Sequence, residues 1–319
     1  MSSEPLNTEI RLPHRSDLSQ NLDQGFVWLT RIFGLGIPLV LISMIIKVGI
    51  DALPAVGKYG IGFLFSSDWD VTRNAYGVLP QIYGTLVSSF IALLIAVPIG
   101  IGVAVILSEQ FDFLPPKAQE ALVFLVELLA AIPSVVYGLW GIFVLIPIIK
   151  PVGDFLYNNF KWFPLFSTPL SGTGMLPAAV VLAVMILPTI ASISREALIS
   201  LPKDMRQASM GLGATRWETI IQVLIPAAFS GIVGAIMLAL GRAMGETMAV
   251  TMLIGNSAKI NASILAPSNS IAAKLANEFA EASDLQISAL MYAALILFGL
   301  TLLVNIFAEL LIMRVQKIK

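Results

Sequence analysis

Arg206-Gln207-Ala208-Ser209-Met210-Gly211-Leu212-Gly213-Ala214-Thr215-Arg216-Trp217-Glu218-Thr219-Ile220-Ile221-Gln222-Val223-Leu224-Ile225-Pro226 is a polar run set between the fourth and fifth of six apolar stretches. Its first residues read as a helix of moderate propensity. Gly211 and Gly213 then make a turn, because glycine enters left-handed backbone without a Cβ penalty. A second amphipathic helix leads to Pro226, where the next apolar stretch takes over. The shape predicted is a helical hairpin standing outside a membrane, within a loop over residues 203–226.

Composition supplies the membrane. Of 319 residues, 57% are hydrophobic and 12% charged, with a mean hydropathy of +0.87, an apolar excess that a water-soluble surface does not tolerate. A net charge of −1 leaves no basic footprint for nucleic acid. With no cysteine, disulfides, thiolate zinc sites and cysteine nucleophiles are excluded. The single histidine, His14, has no second histidine with which to share a metal, and reads as a solvated residue of a polar segment.

Residues 1–25 are polar, with neither an apolar core nor a small-residue cleavage site, and read as a disordered tail, not a signal peptide. Six spans follow, near 26–50, 83–107, 119–149, 175–193, 221–254 and 288–313, each long enough for the ~20 residues a bilayer needs. Arg31 and Lys47 lie near the ends of the first, where long side chains can snorkel. Six spans put both termini on one side, and lysine and arginine in the loops decide which. Arg11, Arg15, Lys117, Arg195, Lys203, Arg206, Arg216, Arg314, Lys317 and Lys319 fall on the side of the hairpin; Lys58, Arg73, Lys150, Lys161, Lys259 and Lys274 fall on the other. The excess places the termini and the hairpin in the cytoplasm.

The outward segments are longer than turns require. Trp69 and Tyr76 suit a membrane interface, and the second outward segment, 150–174, holds Trp162 with prolines and glycines. Ile271, Leu275 and Phe279 recur every fourth residue, which predicts a short amphipathic helix on or dipping into the outer face. These segments either dock a binding protein or simply cap the bundle.

Two spans are interrupted. In the third, Pro133 removes a backbone donor within Glu127–Gly141, so a kink or break is expected, and freed backbone groups at membrane depth must face protein or a cavity. Glu127 and Ser134 then either contact substrate or sit at a packing kink. The fifth carries Leu240-Gly241-Arg242-Ala243-Met244-Gly245-Glu246-Thr247. An arginine or glutamate facing lipid costs about 2.5–3.5 kcal/mol even on a lenient scale. Four residues apart, Arg242 and Glu246 are predicted to share a helix face and bond, while Gly241 and Gly245 mark an adjoining face that lets another helix approach. Arg242 would stand about 24 Å along the helix from Pro226. The pair admits two uses. One is a structural ion pair locking two helices. The other is an anion filter: a guanidinium fork suits an oxyanion, and a carboxylate beside it tolerates only an anion that brings a proton, as phosphate does near neutral pH and sulfate does not.

The hairpin resembles the EAA loop of importer-type ABC permeases, with Gln207, Ala208, Ser209, Gly213, Val223, Ile225 and Pro226 in its slots and glutamine where the family has glutamate. Ile82–Val87, Glu127–Gly141, Leu240–Val250 and Leu275–Glu281 are similar to the PstC family, permease subunits of phosphate-specific ABC importers. The resemblance implies an all-α membrane protein with six transmembrane helices in the MetI-like ABC importer permease fold, in a bacterial inner membrane. It implies a homologous PstA-like permease, a PstB-like ATPase dimer carrying ATP and Mg on the partner, and an extracytoplasmic PstS-like phosphate-binding protein. Arg206, Gln207, Ala208, Gly211, Gly213, Arg216 and Pro226 would couple to the ATPase, and Arg242 and Glu246 would lie on the phosphate path. This chain would bind no cofactor and catalyse nothing itself; no G-x-x-x-x-G-K-[ST] occurs in it. An anion carrier or channel driven by an ion gradient would use the pair but leaves the hairpin unexplained. A membrane-embedded enzyme lacks a nucleophile or metal cluster. A permease for another oxyanion, such as sulfate, stays open within the first class.

Overall fold

The computed structural model describes residues 17–108 and 115–317. His14 and the rest of 1–16 lie outside the described residues. The remainder of the expected tail, 17–25, is helical, forming the first turns of α1 (Asp17–Tyr59). Polarity was a poor guide there: leucine and glutamine propagate a helix well, and the apolar run that follows has already met the cost of nucleation.

The chain divides into two units between Ile50 and Asp51. In the first, α1 exposes its large apolar side chains, Phe26, Trp28, Ile32 and Phe33 among them, which is the pattern of a helix solvated by lipid. The Arg31 guanidinium lies over the Trp28 ring, 5.8 Å from its centre.

The second unit begins with the last turns of α1 and continues through α2 (Gly62–Phe65), a hairpin of β1 (Trp69–Asp70) and β2 (Ala75–Tyr76), α3 (Leu79–Leu107), α4 (Pro116–Ala131) and α5 (Ser134–Trp140). A π-helical turn at Gly141–Leu145 joins α5 to α6 (Ile146–Phe160), and α7 (Met175–Ile199) follows. Next come α8 (Lys203–Gly211), α9 (Arg216–Glu218), a second π-helical turn at Thr219–Leu224, α10 (Ile225–Ala227) and α11 (Phe229–Gly245). The unit ends with α12 (Met248–Leu253), α13 (Ile271–Glu278) and α14 (Asp284–Lys317). Among the described residues, five helices are long and apolar enough to span, and counting the segment bent by 70° between Ala227 and Phe229 makes six.

The third span differs from its predicted bounds of 119–149: the apolar helix is Ser134–Phe160. Its expected first half is α4, whose 16 residues reach only about 24 Å, short of a ~30 Å hydrocarbon core.

The core is built on α3 and α7. Gly100 admits the close approach, since a Cβ there would come within 2.8 Å of Ile190 Cγ2. Ala92 and Ala96 of α3 meet Leu182, Ile186 and Ile190 of α7, with Ala239 and Ala243 of α11 closing the third side. A second cluster joins the π-turn residues Ile220 and Leu224 to Ala104, Val105 and Leu198.

At the opposite end, residues 255–270 fold back onto the bundle as backbone: Met175 N–H donates to Ala266 O at 3.0 Å and Ser268 N–H to Ile254 O at 2.9 Å. Thr85 Oγ1 accepts from Ile271 N–H at 3.0 Å. Ile271 is buried, as are the next three residues, whereas Phe279 is exposed beyond the helix end; α13 is therefore set into the protein at its start, not laid along an outer face. Trp69 and Tyr76, expected at a lipid interface, pack on each other with ring centres 5.0 Å apart. Trp69 Nε1–H donates to Glu278 Oε2 at 2.8 Å, and Lys274 Nζ sits 4.4 Å from the Trp69 ring, which ties the β-hairpin to α13. Burial, with Tyr59, Glu278 and Asp70 nearby, raises the Tyr76 hydroxyl above its usual range.

Candidate functional site

Two helix breaks form the first half of the site. α4 ends at Ala131, and Ile132 and Pro133 are extended, because a residue before proline is driven out of the helical region. Tyr137, buried, spans the gap: its hydroxyl donates to Leu129 O at 2.8 Å. Ser134 is half-buried at the first position of α5, and Glu127 is exposed on α4.

The second break separates Arg242 from Glu246. Their spacing predicts one face and one bond, but α11 stops at Gly245 and Glu246 is extended, at φ −66 and ψ 124. Among the described residues no ion pair joins them. Glu246 instead turns to the next helix, its Oε1 accepting from Ala249 N–H at 3.4 Å. The exposed Arg242 reaches α7, Nη1 donating to Thr189 Oγ1 at 3.4 Å. A glycine followed by two residues whose side chains bond locally, Thr247 Oγ1 donating to Gly245 O at 3.1 Å, gives the backbone an alternative to the helix ladder.

Gly241 and Gly245 were expected to admit a neighbouring helix; among the described residues no neighbouring element comes within 4 Å of a Cβ built at either. The close approach falls on Gly138 and Gly141. A Cβ at Gly138 would meet Met252 Sδ at 2.6 Å and Ala249 Cα at 3.3 Å, and one at Gly141 would meet Leu253 Cδ1 at 2.6 Å. α5 and α12 therefore run side by side in one direction, and counting back brings Pro133 level with Glu246 to within about a turn. Two discontinuous helices thus place Ser134, Arg242 and Glu246 around one level. Irregular backbone is tolerated in a membrane where it is buried in protein or lines a water-filled cavity.

The hairpin is the second half. α8 keeps Gly211 helical, and Gly213 alone takes left-handed backbone, at φ +93, so the turn rests on one of the two glycines expected to share it. Thr215 caps α9: its hydroxyl accepts from Glu218 N–H at 3.3 Å, and Glu218 Oε2 accepts from Thr215 N–H at 2.7 Å, holding the Glu218 carboxyl below its usual range. Gln207, Ala208 and Arg216 are exposed; Arg206 and Pro226 are half-buried. Leu212, Trp217 and Ile221 are 92%, 62% and 61% exposed, large apolar side chains that the hairpin leaves facing outward. The two arms are clasped by Ser209 Oγ and the buried Thr219 Oγ1, 3.0 Å apart. The π-helical turns escaped the sequence reading, because no residue pattern announces the extra residue. Thr189 and Tyr137 escaped too, although Pro188 within an apolar span was a usable signal for the first. Among the described residues no group of three or more His, Cys, Asp or Glu side chains could hold a metal.

A family model described as the binding-protein-dependent transport system inner membrane component matches residues 96–317. The chain is similar to the phosphate transport system permease protein PstC of Pasteurella multocida, 41% identical over 293 residues, covering 90% of this chain and 91% of that protein. It is equally similar to the protein of that name from Haemophilus influenzae, 41% identical over 303 residues, covering 93% and 95%. Among solved structures, an inward-facing MetNI methionine ABC transporter superposes with a TM-score of 0.56 at 19% identity, over 75% of this chain and 95% of that one. Identity so low speaks to the fold alone, and the fold is the all-α permease arrangement expected.

Proposed function

The chain belongs to the family of binding-protein-dependent transport system inner membrane components, and from that membership we propose that it is the permease subunit of an ATP-driven phosphate importer. It is an integral, multi-pass inner-membrane protein. Both termini and the 203–226 hairpin face the cytoplasm, a placement supported by the excess of Lys and Arg on that side. A PstA-like permease completes the pathway, a PstB-like ATPase dimer holds ATP and Mg2+, and a PstS-like protein delivers phosphate from outside. The chain itself is not catalytic.

The observation that carries this reading is the split of Arg242 from Glu246 across a helix break. A helix face would have let the two satisfy each other as a lock; apart, Arg242 keeps donors beyond the one given to Thr189, and Glu246 a second carboxylate oxygen beyond the one that meets Ala249, for a third group. Arg242 offers N–H donors to phosphate oxygens and Glu246 accepts the hydrogen of a protonated phosphate. Ser134 stands at the same level and Glu127 farther along α4. Alternating access then follows from the packing. The ATPase grips the exposed Leu212, Trp217 and Ile221, the Ser209–Thr219 clasp makes both arms move together, and Ile220 and Leu224 pass the motion to the ends of α3 and α7.

Proteoliposomes holding the assembled transporter test this. Phosphate should accumulate only with ATP and the ATPase subunit, and sulfate should not; uptake driven by an ion gradient in the absence of the ATPase would refute it.

A further inference from the structure

Thr189 stands on α7 immediately after Pro188, half-buried, facing the exposed Arg242 of α11. Its Oγ1 accepts from Arg242 Nη1 at 3.4 Å. A threonine hydroxyl that accepts still owns a hydrogen to give, and among the described residues no acceptor takes it. The usual sink for such a hydrogen inside a helix is a carbonyl three or four residues back, the bond that Thr85 makes to Gln81 O at 2.8 Å and Thr251 to Thr247 O at 2.7 Å. Thr189 makes neither. Thr189 Oγ1 therefore accepts from the guanidinium while its O–H, given to no carbonyl of its own helix among the described residues, keeps a donation to make beside the donors of Arg242.

We propose that Thr189 is a further ligand of the transported oxyanion. Its oxygen fixes one guanidinium N–H, which aims the remaining donors of Arg242, and its own O–H donates to the anion held there. Donors from two helices packed in one core, α7 and α11, then converge on the phosphate oxygens while Glu246 takes the protonated corner. The proposal rests on the reading of Arg242 as an anion-binding residue.

The test is phosphate uptake by the complete reconstituted transporter carrying Thr189→Val, which keeps the volume and loses the hydroxyl, or Thr189→Ser, which keeps the hydroxyl and loses the methyl. Loss of one hydrogen bond to a charged ligand should lower the initial rate about ten-fold in the valine variant, and serine should restore it to near wild type. Wild-type uptake by Thr189→Val overturns the proposal. So does equal impairment of both variants, which marks a packing role. Arg242→Ala run alongside separates the failures: if it also transports normally, the anion-site reading falls, and if it is inactive while Thr189→Val transports, only the role of Thr189 falls.

Discussion

Gly84→Ala should unseat the segment that closes the far end of the bundle. A Cβ at Gly84 would lie 1.8 Å from Asn269 O and 2.8 Å from Ser268 Oγ, against an ordinary C···O contact of about 3.3 Å. The obstacle is backbone, so no rotamer change relieves it, and α3 must part from residues 268–270. Overpacking of this kind costs about 1–3 kcal/mol. The Thr85–Ile271 hydrogen bond goes with it, for about 1 kcal/mol more, and the gain from replacing a helical glycine returns roughly 0.5–1 kcal/mol. A net loss of about 2 kcal/mol lowers the melting temperature by roughly 4–8 °C. Gly102→Ala, on the same helix with nothing within 4 Å of its Cβ position, supplies the control. It should melt at or slightly above wild type, having only the propensity gain. Thermal unfolding of the purified transporter in detergent, followed by size exclusion, reads both. Equal melting temperatures for the two alanine variants would refute the close approach.

Thr219→Val removes one half of the Ser209–Thr219 clasp without changing volume; fewer phosphates should be moved per ATP hydrolysed, measured by parallel uptake and ATPase assays. Tyr137→Phe loses the bond that spans the α4–α5 break and should cost about 1 kcal/mol, seen as a lower melting temperature with the chain still assembled. The Thr215–Glu218 cap carries a carboxyl whose pKa is lowered on folding, so its contribution is present above the unfolded value and fades as pH falls through the folded one. The melting-temperature gap between wild type and Thr215→Ala should accordingly narrow in acid.

Local chemistry was the legible part of this sequence. Pro133 announced a break and the chain breaks there, because a missing N–H and a crowded preceding turn act within a few residues. Gly213 announced a turn just as locally, since a residue without a Cβ enters the left-handed backbone found there. What spacing could not reveal is where a helix stops without a proline. The four-residue interval between Arg242 and Glu246 assumes a continuous helix, and α11 ends between them because Gly245 and Thr247 favour local bonds that only the packed chain selects. The glycine pairs failed likewise: Gly241 and Gly245 have the small-residue spacing, whereas Gly138 and Gly141 have the neighbours. Which face of a helix is covered depends on elements more than a hundred residues away. Helix α13 shows the same limit, its every-fourth-residue apolar pattern being compatible with a membrane surface and with burial at one end.

In the function proposed above, Arg242 and Glu246, parted by the break, hold the anion in transit. The initial rate of ATP-driven phosphate uptake by assembled transporter carrying Arg242→Ala or Glu246→Gln decides whether they do. At least a ten-fold loss in each variant is expected from removing a charge-assisted contact. Uptake at the wild-type rate in both would contradict the account.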